Sequence, residues 1–371
     1  MKTIYSRFYA VLITVILLIL ASISLFNILV DPYGVFNSPL IQGFNQSKPW
    51  KVVQVRLFKA VDLTRIKPQT VLLGASRTYV GLNPKHPALN RYQPSYNLGL
   101  NSANMYEMKR YFQHALFNQP DLKLVVLEID YFSFYLDAKN TPDFSEDRLE
   151  KSSILPKDLL NSTLSMDALI NSISTILHNS RDSQKFLFVN GMVDVAVPNQ
   201  PISITTFTLF LTRHNYSIGS NYLKDFEYVV KTCRDRGIEL KIFISPIHVL
   251  FSENIRATGN WPMYERWKRE IVKIAPVWDF SGYNSITTEK YSDRVIMKNY
   301  TDVSHYTIPV GNLILNRLFN YQEKTVPTDF GVLITPNNIE SHLDKINAQR
   351  QVWAKQNPDA VEFIRSLQTK K

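Results

Sequence analysis

The chain has 371 residues, an apolar share of 45%, a charged share of 20% and a formal net charge of +10. This composition implies a folded protein with a sizeable core, long enough for one large domain or two small ones. Cys233 is the single cysteine, which excludes an internal disulfide; it sits in an amphipathic helical pattern and reads as a packed core thiol.

The N-terminus carries the first strong signal. From Phe8 to Val30 there are 23 residues without a charge, rich in Val, Ile and Leu. About 20 such residues cross the hydrocarbon of a bilayer. Lys2 and Arg7 precede them, which predicts a cytoplasmic N-terminus and an outward-facing body. A cleaved leader is the competing reading. The apolar stretch exceeds a usual signal core, and Asn27-Ile28-Leu29-Val30-Asp31-Pro32 has no small-x-small site, so residues 1–30 read as an uncleaved signal-anchor. The rest of the chain is then periplasmic or extracellular, attached to the inner or cytoplasmic membrane. A nucleic-acid partner is not expected there.

Residues 31–69 read as a juxtamembrane connector. Asp31 to Ser47 is polar with Pro and Gly, and Trp50 to Ile66 mixes basic and apolar residues as a helix, ended by Lys67-Pro68-Gln69. The first 70 residues hold eight basic groups against two acids. Such an excess either attracts anionic lipid heads or an acidic envelope polymer, or forms a plain solvated face.

Residues 70–325 follow a strand-and-helix grammar. Thr70–Leu73 is a short buried strand closed by Gly74, and Leu122–Ile129 is another. Between them Asn104–Phe117 is a helix with an Asn-x-x-Glu capping box from Asn104 and Glu107. Later come a helix over Asn221–Arg236 with Gly237 as C-cap, a strand over Ile238–Ile247, a helix over Met263–Ile274, a short strand over Val277–Phe280 and a helix over Pro309–Tyr321. The alternation predicts a three-layer α/β/α domain with a mainly parallel sheet. Residues 133–220 fit less well and read as an insertion, either a cap over the site or a partner surface. Residues 326–371 read as a tail of one or two amphipathic helices, with Ile339, Leu343 and Ile346 on one face.

Two motifs carry chemistry. Gly74-Ala75-Ser76-Arg77 puts a serine just beyond a strand's carboxyl end, the edge where open α/β sheets place ligands. Asp302-Val303-Ser304-His305 supplies an imidazole and a carboxylate. A serine hydroxyl becomes nucleophilic when a positioned base takes its proton, and a carboxylate can orient that base. The alternative for each is structural: an ordinary turn at Ser76, and a helix N-cap at Asp302 with His305 in the first turn. Between them, Tyr96–Asn104 is a polar, glycine-containing loop. The Ser76 N–H, with the Gly99 N–H or the Asn101 amide, is a candidate oxyanion donor. His248, after Ser245-Pro246-Ile247, either lines the cleft or is a surface-loop histidine. Arg77 either meets an anionic substrate group or holds the turn by a salt bridge. His86, His114, His178, His214 and His342 show no ligand spacing, and without HxxxH, CxxC or a carboxylate cluster neither a metal nor another cofactor is expected.

In this order, Gly74-Ala75-Ser76-Arg77, Asn97-Leu98-Gly99 and Asp302-x-x-His305 resemble the SGNH-hydrolase superfamily. They resemble more narrowly its membrane-anchored extracytoplasmic branch, which includes proteins of alginate and peptidoglycan O-acetylation and the teichoic-acid D-alanine transfer protein. The resemblance runs from Thr70 to Tyr321. It implies an SGNH-like (flavodoxin-like) fold, Ser76 as nucleophile, His305 as base, Asp302 as its orienter, and Gly99 as oxyanion donor beside the Ser76 N–H. Two places depart from the superfamily. Ala75 stands where an acidic residue often precedes the serine, and Leu127-Glu128-Ile129-Asp130 stands where a Gly-x-Asn-Asp block is usual. The third oxyanion donor is therefore unassigned, with Asn97, Asn101 and Asn104 as candidates near the substrate.

The resulting expectation is an O-acyltransferase or esterase that moves an O-acetyl or similar acyl group to or from a cell-envelope polysaccharide. The resemblance favours transfer, and implies a membrane-bound O-acyltransferase partner that delivers acyl groups. Two alternatives are a catalytically inactive SGNH-like subunit that binds glycan or scaffolds a membrane complex, and a lipid esterase.

Overall fold

The computed structural model describes residues 2–181, 185–195, 201–209, 211 and 217–369. The chain divides into two compact units, Met1–Arg65 with Ser145–Leu187 and Ile66–Phe144 with Phe188–Lys371. The stretch read as an insertion therefore splits, its middle part belonging with the N-terminal residues.

In the first unit, Lys2–Val30 is one continuous helix. Its Tyr5–Val30 part is long and apolar enough to cross a membrane, with a mean hydropathy of 2.7. The hydroxyls of Thr14 and Ser22 donate to the carbonyls one turn back, at 2.9 and 2.8 Å, so they add no unpaired polar group. The helix ends where Asp31 turns to a φ of +50° ahead of Pro32. Its last carbonyls are capped from the connector. Lys48 Nζ donates to the Val30 and Asp31 oxygens at 3.1 and 2.7 Å, and Asn45 Nδ2 to the Leu29 oxygen at 3.1 Å. A cation at a helix C-terminus opposes the helix dipole. Burial lowers Lys48 to about 8, with Asp31 working against the shift.

This corrects the reading of the basic excess for three of its eight groups, while Arg7, Arg65 and Lys67 are exposed. Lys48, Arg56 and Lys59 are buried, so they form neither a solvated face nor a lipid-facing one. The connector's helix is also shorter than expected: a 3₁₀ turn at Pro49–Val53 precedes the α-helix Val55–Ile66. Helices Pro156–Thr163 and Met166–Asn179 complete the unit.

The second unit is built on a six-stranded sheet. In chain order it contains β1 (Thr70–Gly74), helix α1 (Ser76–Gly81), β2 (Ser95–Gly99), α2 (Met105–Asn118), β3 (Leu124–Ile129), α3 (Ser220–Asp235), β4 (Glu239–Ile244), α4 (Val249–Ala257), α5 (Trp261–Ile274), β5 (Val277–Asp279), α6 (Ile308–Phe319), β6 (Val332–Ile334), α7 (Ile339–Gln356) and α8 (Pro358–Thr369). The sheet order is β2-β1-β3-β4-β5-β6. All pairs are parallel except β5–β6. The order reverses beside β1, and the crevice at the carboxyl end of such a switch point is where open sheets bind ligands. Val71, Leu72 and Leu73 of β1 and Leu124 to Leu127 of β3 are buried, as strands covered on both faces require.

Two strands of this six-stranded sheet escape the sequence reading. β2, apart from Ser95, lies inside the Tyr96–Asn104 stretch read as a loop, because Ser-Tyr-Asn-Leu-Gly lacks the branched apolar run of its neighbours. β6 lies in the tail read as helical and is three residues long. The tail's helices follow it, and Ile339, Leu343 and Ile346 face the core as expected.

Candidate active site

Ser76 follows β1 directly and opens α1. Two glycines allow this tight geometry. A Cβ on Gly74 would lie 2.5 Å from Glu128 Oε2, and one on Gly99 would lie 2.3 Å from the Tyr79 nitrogen. Neither position has room for a side chain, so backbone and the buried Glu128 carboxylate can approach the turn.

His305 and Asp302 sit on a loop ahead of α6. The loop is closed by a bridge between Tyr300 and Tyr306 and by the Thr301 N–H donating to the His305 oxygen at 2.9 Å. Asp302 Oδ1 accepts the N–H groups of Ser304 and His305 at 2.7 and 2.8 Å. Its other oxygen lies 2.8 Å from His305 Nδ1, and His305 Nε2 lies 2.7 Å from Ser76 Oγ. A carboxylate can only accept, and with the ring proton on Nδ1 toward it the Nε2 lone pair faces the serine hydroxyl. Residues 229 positions apart thus meet in the order that lets an imidazole take a hydroxyl proton. Asp302 is not a helix cap: α6 starts at Ile308, with Thr307 at its N-cap.

Arg77 is buried and holds this loop. Its Nε and Nη2 donate to the Ser304 backbone oxygen and Oγ at 2.9 and 2.8 Å, and its Nη1 pairs with Asp130 at 2.8 Å. Of its two readings, the salt bridge is the one found. Asp130 lies just past β3 and also accepts the Ser133 N–H at 3.0 Å, so the loop is tied to the sheet.

Glu128 carries a structural role that its sequence position did not reveal. Fully buried on β3, it accepts the Ala75 N–H at 2.7 Å and the Ser245 hydroxyl at 2.8 Å. It pins the turn before Ser76 to the ends of β3 and β4. Burial raises it to about 7, helped by Asp130 and opposed by Arg77. The available signal was an acid inside the continuous apolar run of β3, where a charge breaks the pattern.

The other predicted residues divide by position. The Ser76 N–H opens a helix, where first-turn N–H groups have no acceptor within the helix. Asn101 lies half-buried just past β2, at the same carboxyl edge. The Gly99 N–H donates to Asn97 Oδ1 at 3.0 Å, so it points into the protein. Asn97 is buried and donates to the Thr78 and Leu82 oxygens at 2.6 and 2.8 Å, fastening α1. Asn104 is buried as the cap of α2, accepting the Glu107 N–H at 2.9 Å. His248 is neither in the cleft nor on the surface. It caps α4, its Nε2 lies 2.7 Å from the Glu289 oxygen, and burial lowers it to about 4. Its own N–H donates to the Val303 oxygen at 3.1 Å, bracing the His305 loop. His214 lies outside the described residues.

No family model and no curated protein matches the chain. Among solved structures, one similar chain is from Streptococcus pneumonia and is provisionally described as a platelet activating factor. It has 10% identity and a TM-score of 0.35, over 73% of this chain and 93% of that one. A likeness at that level carries no inference about activity.

Proposed function

We propose that the chain is a membrane-anchored serine enzyme of the SGNH type, with a three-layer α/β/α domain, that transfers or removes an acyl ester on a cell-envelope polysaccharide. The observation that carries it is the Ser76–His305–Asp302 chain of contacts at 2.7 and 2.8 Å. The site is a half-buried serine at the carboxyl edge of the sheet.

In the proposed reaction, Ser76 Oγ attacks the acyl carbonyl carbon while its proton passes to His305 Nε2. Asp302 steadies the imidazolium, and the Ser76 N–H faces the developing oxyanion. The carbonyl re-forms, the donor's alkoxide leaves with the proton from His305, and an acyl-serine remains. His305 then takes the proton of the acceptor hydroxyl as that oxygen attacks the acyl carbon, and returns it to Ser76 Oγ. Water as acceptor gives an esterase; a sugar hydroxyl gives a transferase. The resemblance in motif order favours transfer, with acyl groups supplied by a membrane-bound O-acyltransferase partner. Lys2 and Arg7 ahead of the span support a domain outside the cytoplasm.

The test is labelling of the full-length protein by a fluorophosphonate. Labelling that disappears in Ser76→Ala supports the enzyme; folded wild type that resists labelling favours the inactive, glycan-binding reading. The ester content of the surface polysaccharide with wild type and with Ser76→Ala then separates the reactions. A fall in the variant marks a transferase, a rise an esterase.

A further inference from the structure

The helix Met166–Asn179 carries large apolar residues on its outside and small residues on its inside. Met166, Ile170, Ile173 and Leu177 are 68%, 54%, 47% and 49% exposed, while Ala168, Ser172 and Thr175 are fully buried. The exposed set recurs at i, i+4, i+7 and i+11, one stripe of a helix. In water the apolar stripe of a helix turns inward, so this one is reversed. Small residues inside and large apolar ones outside are the pattern of helices that pack together within lipid. Leu160 and Leu164, before this helix, are also exposed.

The stripe lies in the same unit as the apolar N-terminal helix. Asn27, one turn from that helix's end, donates to the Thr163 oxygen at 2.8 Å. Asn171 donates to the Tyr33 hydroxyl at 2.9 Å, and Asn179 to the Ser47 oxygen at 2.8 Å. The N-terminal helix is exposed through Ser22 and packed only near its end. Its 26-residue apolar part is about 39 Å long at 1.5 Å per residue, longer than a hydrocarbon core of about 30 Å. Its last turns, with the helices packed on them, therefore stand at the membrane boundary. There the polar end of the Met166–Asn179 helix borders a pocket of about 270 Å³ lined by Ser47, His178, Arg181 and Lys185, of which Arg181 and Lys185 are cations suited to lipid headgroups.

From this we infer that the Met166–Asn179 helix is a second membrane contact: it lies in the outer leaflet's interface with Met166, Ile170, Ile173 and Leu177 among the acyl chains. The occupant of the stripe is lipid. The inference rests on the membrane anchoring proposed above.

The test uses the full chain with Cys233→Ala, reconstituted in phosphatidylcholine–phosphatidylglycerol vesicles, with one environment-sensitive fluorophore at Ile173→Cys or, as a second site, Met166→Cys. Leu18→Cys reports on the span and Glu227→Cys on the aqueous body. The expected result is that both stripe probes lose most of their emission to nitroxide lipids and are protected from iodide, while Glu227→Cys shows the reverse. Iodide quenching of the stripe probes with Leu18→Cys quenched by nitroxide lipid overturns the inference and leaves the anchor standing. Stripe probes shielded from both quenchers mean that a second protein copy covers the stripe, which also overturns it. A Leu18→Cys probe open to iodide removes the anchor and the inference together.

Discussion

Gly81 and Gly311 meet backbone to backbone: a Cβ on Gly311 would lie 1.9 Å from the Gly81 carbonyl oxygen. Gly81 ends the helix that Ser76 begins, and Gly311 lies in the helix that follows His305. The two catalytic candidates are therefore brought together by helices that nothing separates. Gly311→Ala must push α1 and α6 apart. Overpacking of this kind costs about 1–3 kcal/mol. Urea unfolding should register that loss, and fluorophosphonate labelling should slow well beyond what the unfolded fraction explains.

Asp302→Asn separates orientation from folding. The Asn oxygen can still accept the Ser304 and His305 N–H groups, which keeps the loop. Its amide would donate to Nδ1, moving the ring proton to Nε2 and removing the lone pair that faces Ser76. Turnover should fall by about 10³–10⁴-fold, as for a mis-set tautomer in a serine triad, with the thermal midpoint almost unchanged. A large fall in midpoint would show that Asp302 serves structure instead.

Arg77→Ala removes a buried cation from Asp130 and frees the Ser304 loop. Leaving a buried charge unpaired costs about 3–5 kcal/mol. Adding Asp130→Asn, which keeps an oxygen for the Ser133 N–H, should recover part of that loss. Chemical denaturation of the two single variants and the double variant measures the coupling; strict additivity would mean the pair is not coupled.

Glu128 predicts a pH dependence of defined sign. Its carboxyl is raised from 4.5 to about 7, mainly by burial. Across that window the folded protein holds a proton that the unfolded chain has lost, so this contribution is full below 4.5 and is lost as pH rises through about 7. Glu128→Gln stays neutral and should remove this slope, worth roughly a few kcal/mol at most. Thermal midpoints of both proteins between pH 4.5 and 8 test it; a constant difference between them would contradict it.

His248 acts with the opposite sign. Burial lowers it from 6.5 to about 4, so the folded state holds it neutral where the unfolded chain is charged. Stability present above 6.5 is lost as pH falls toward 4. His248→Asn offers an oxygen to the Leu250 N–H in place of the ring nitrogen and should flatten the acid side of the profile. An unchanged acid limb would place the sensitivity elsewhere.

Much of the frame was legible because its signals are local. The uncharged run Phe8–Val30, the branched run Val71–Leu73 and the Asn104 cap depend only on residues a few positions apart. β2 was not legible, because Asn97 sits in a strand for a reason held by Thr78 and Leu82, which it fastens. Gly99 was misplaced as a donor for the same cause: its lack of a side chain serves close packing on α1, and its N–H is taken by Asn97. Arg77 had two readings in the sequence, and only its surroundings chose between them; His248, buried as the cap of α4, fits neither of its two.

The sequence by itself determined the membrane-length apolar helix, the alternation of strands and helices, and which residue types were available for proton transfer. These follow from periodicity and covalent neighbourhood, which any window of the chain contains. Only the tertiary structure decided that Ser76 and His305 touch, that Glu128 stands behind the turn, and that the Met166–Asn179 helix wears its apolar side outward. Each of these depends on backbone approach and burial between segments far apart in the chain.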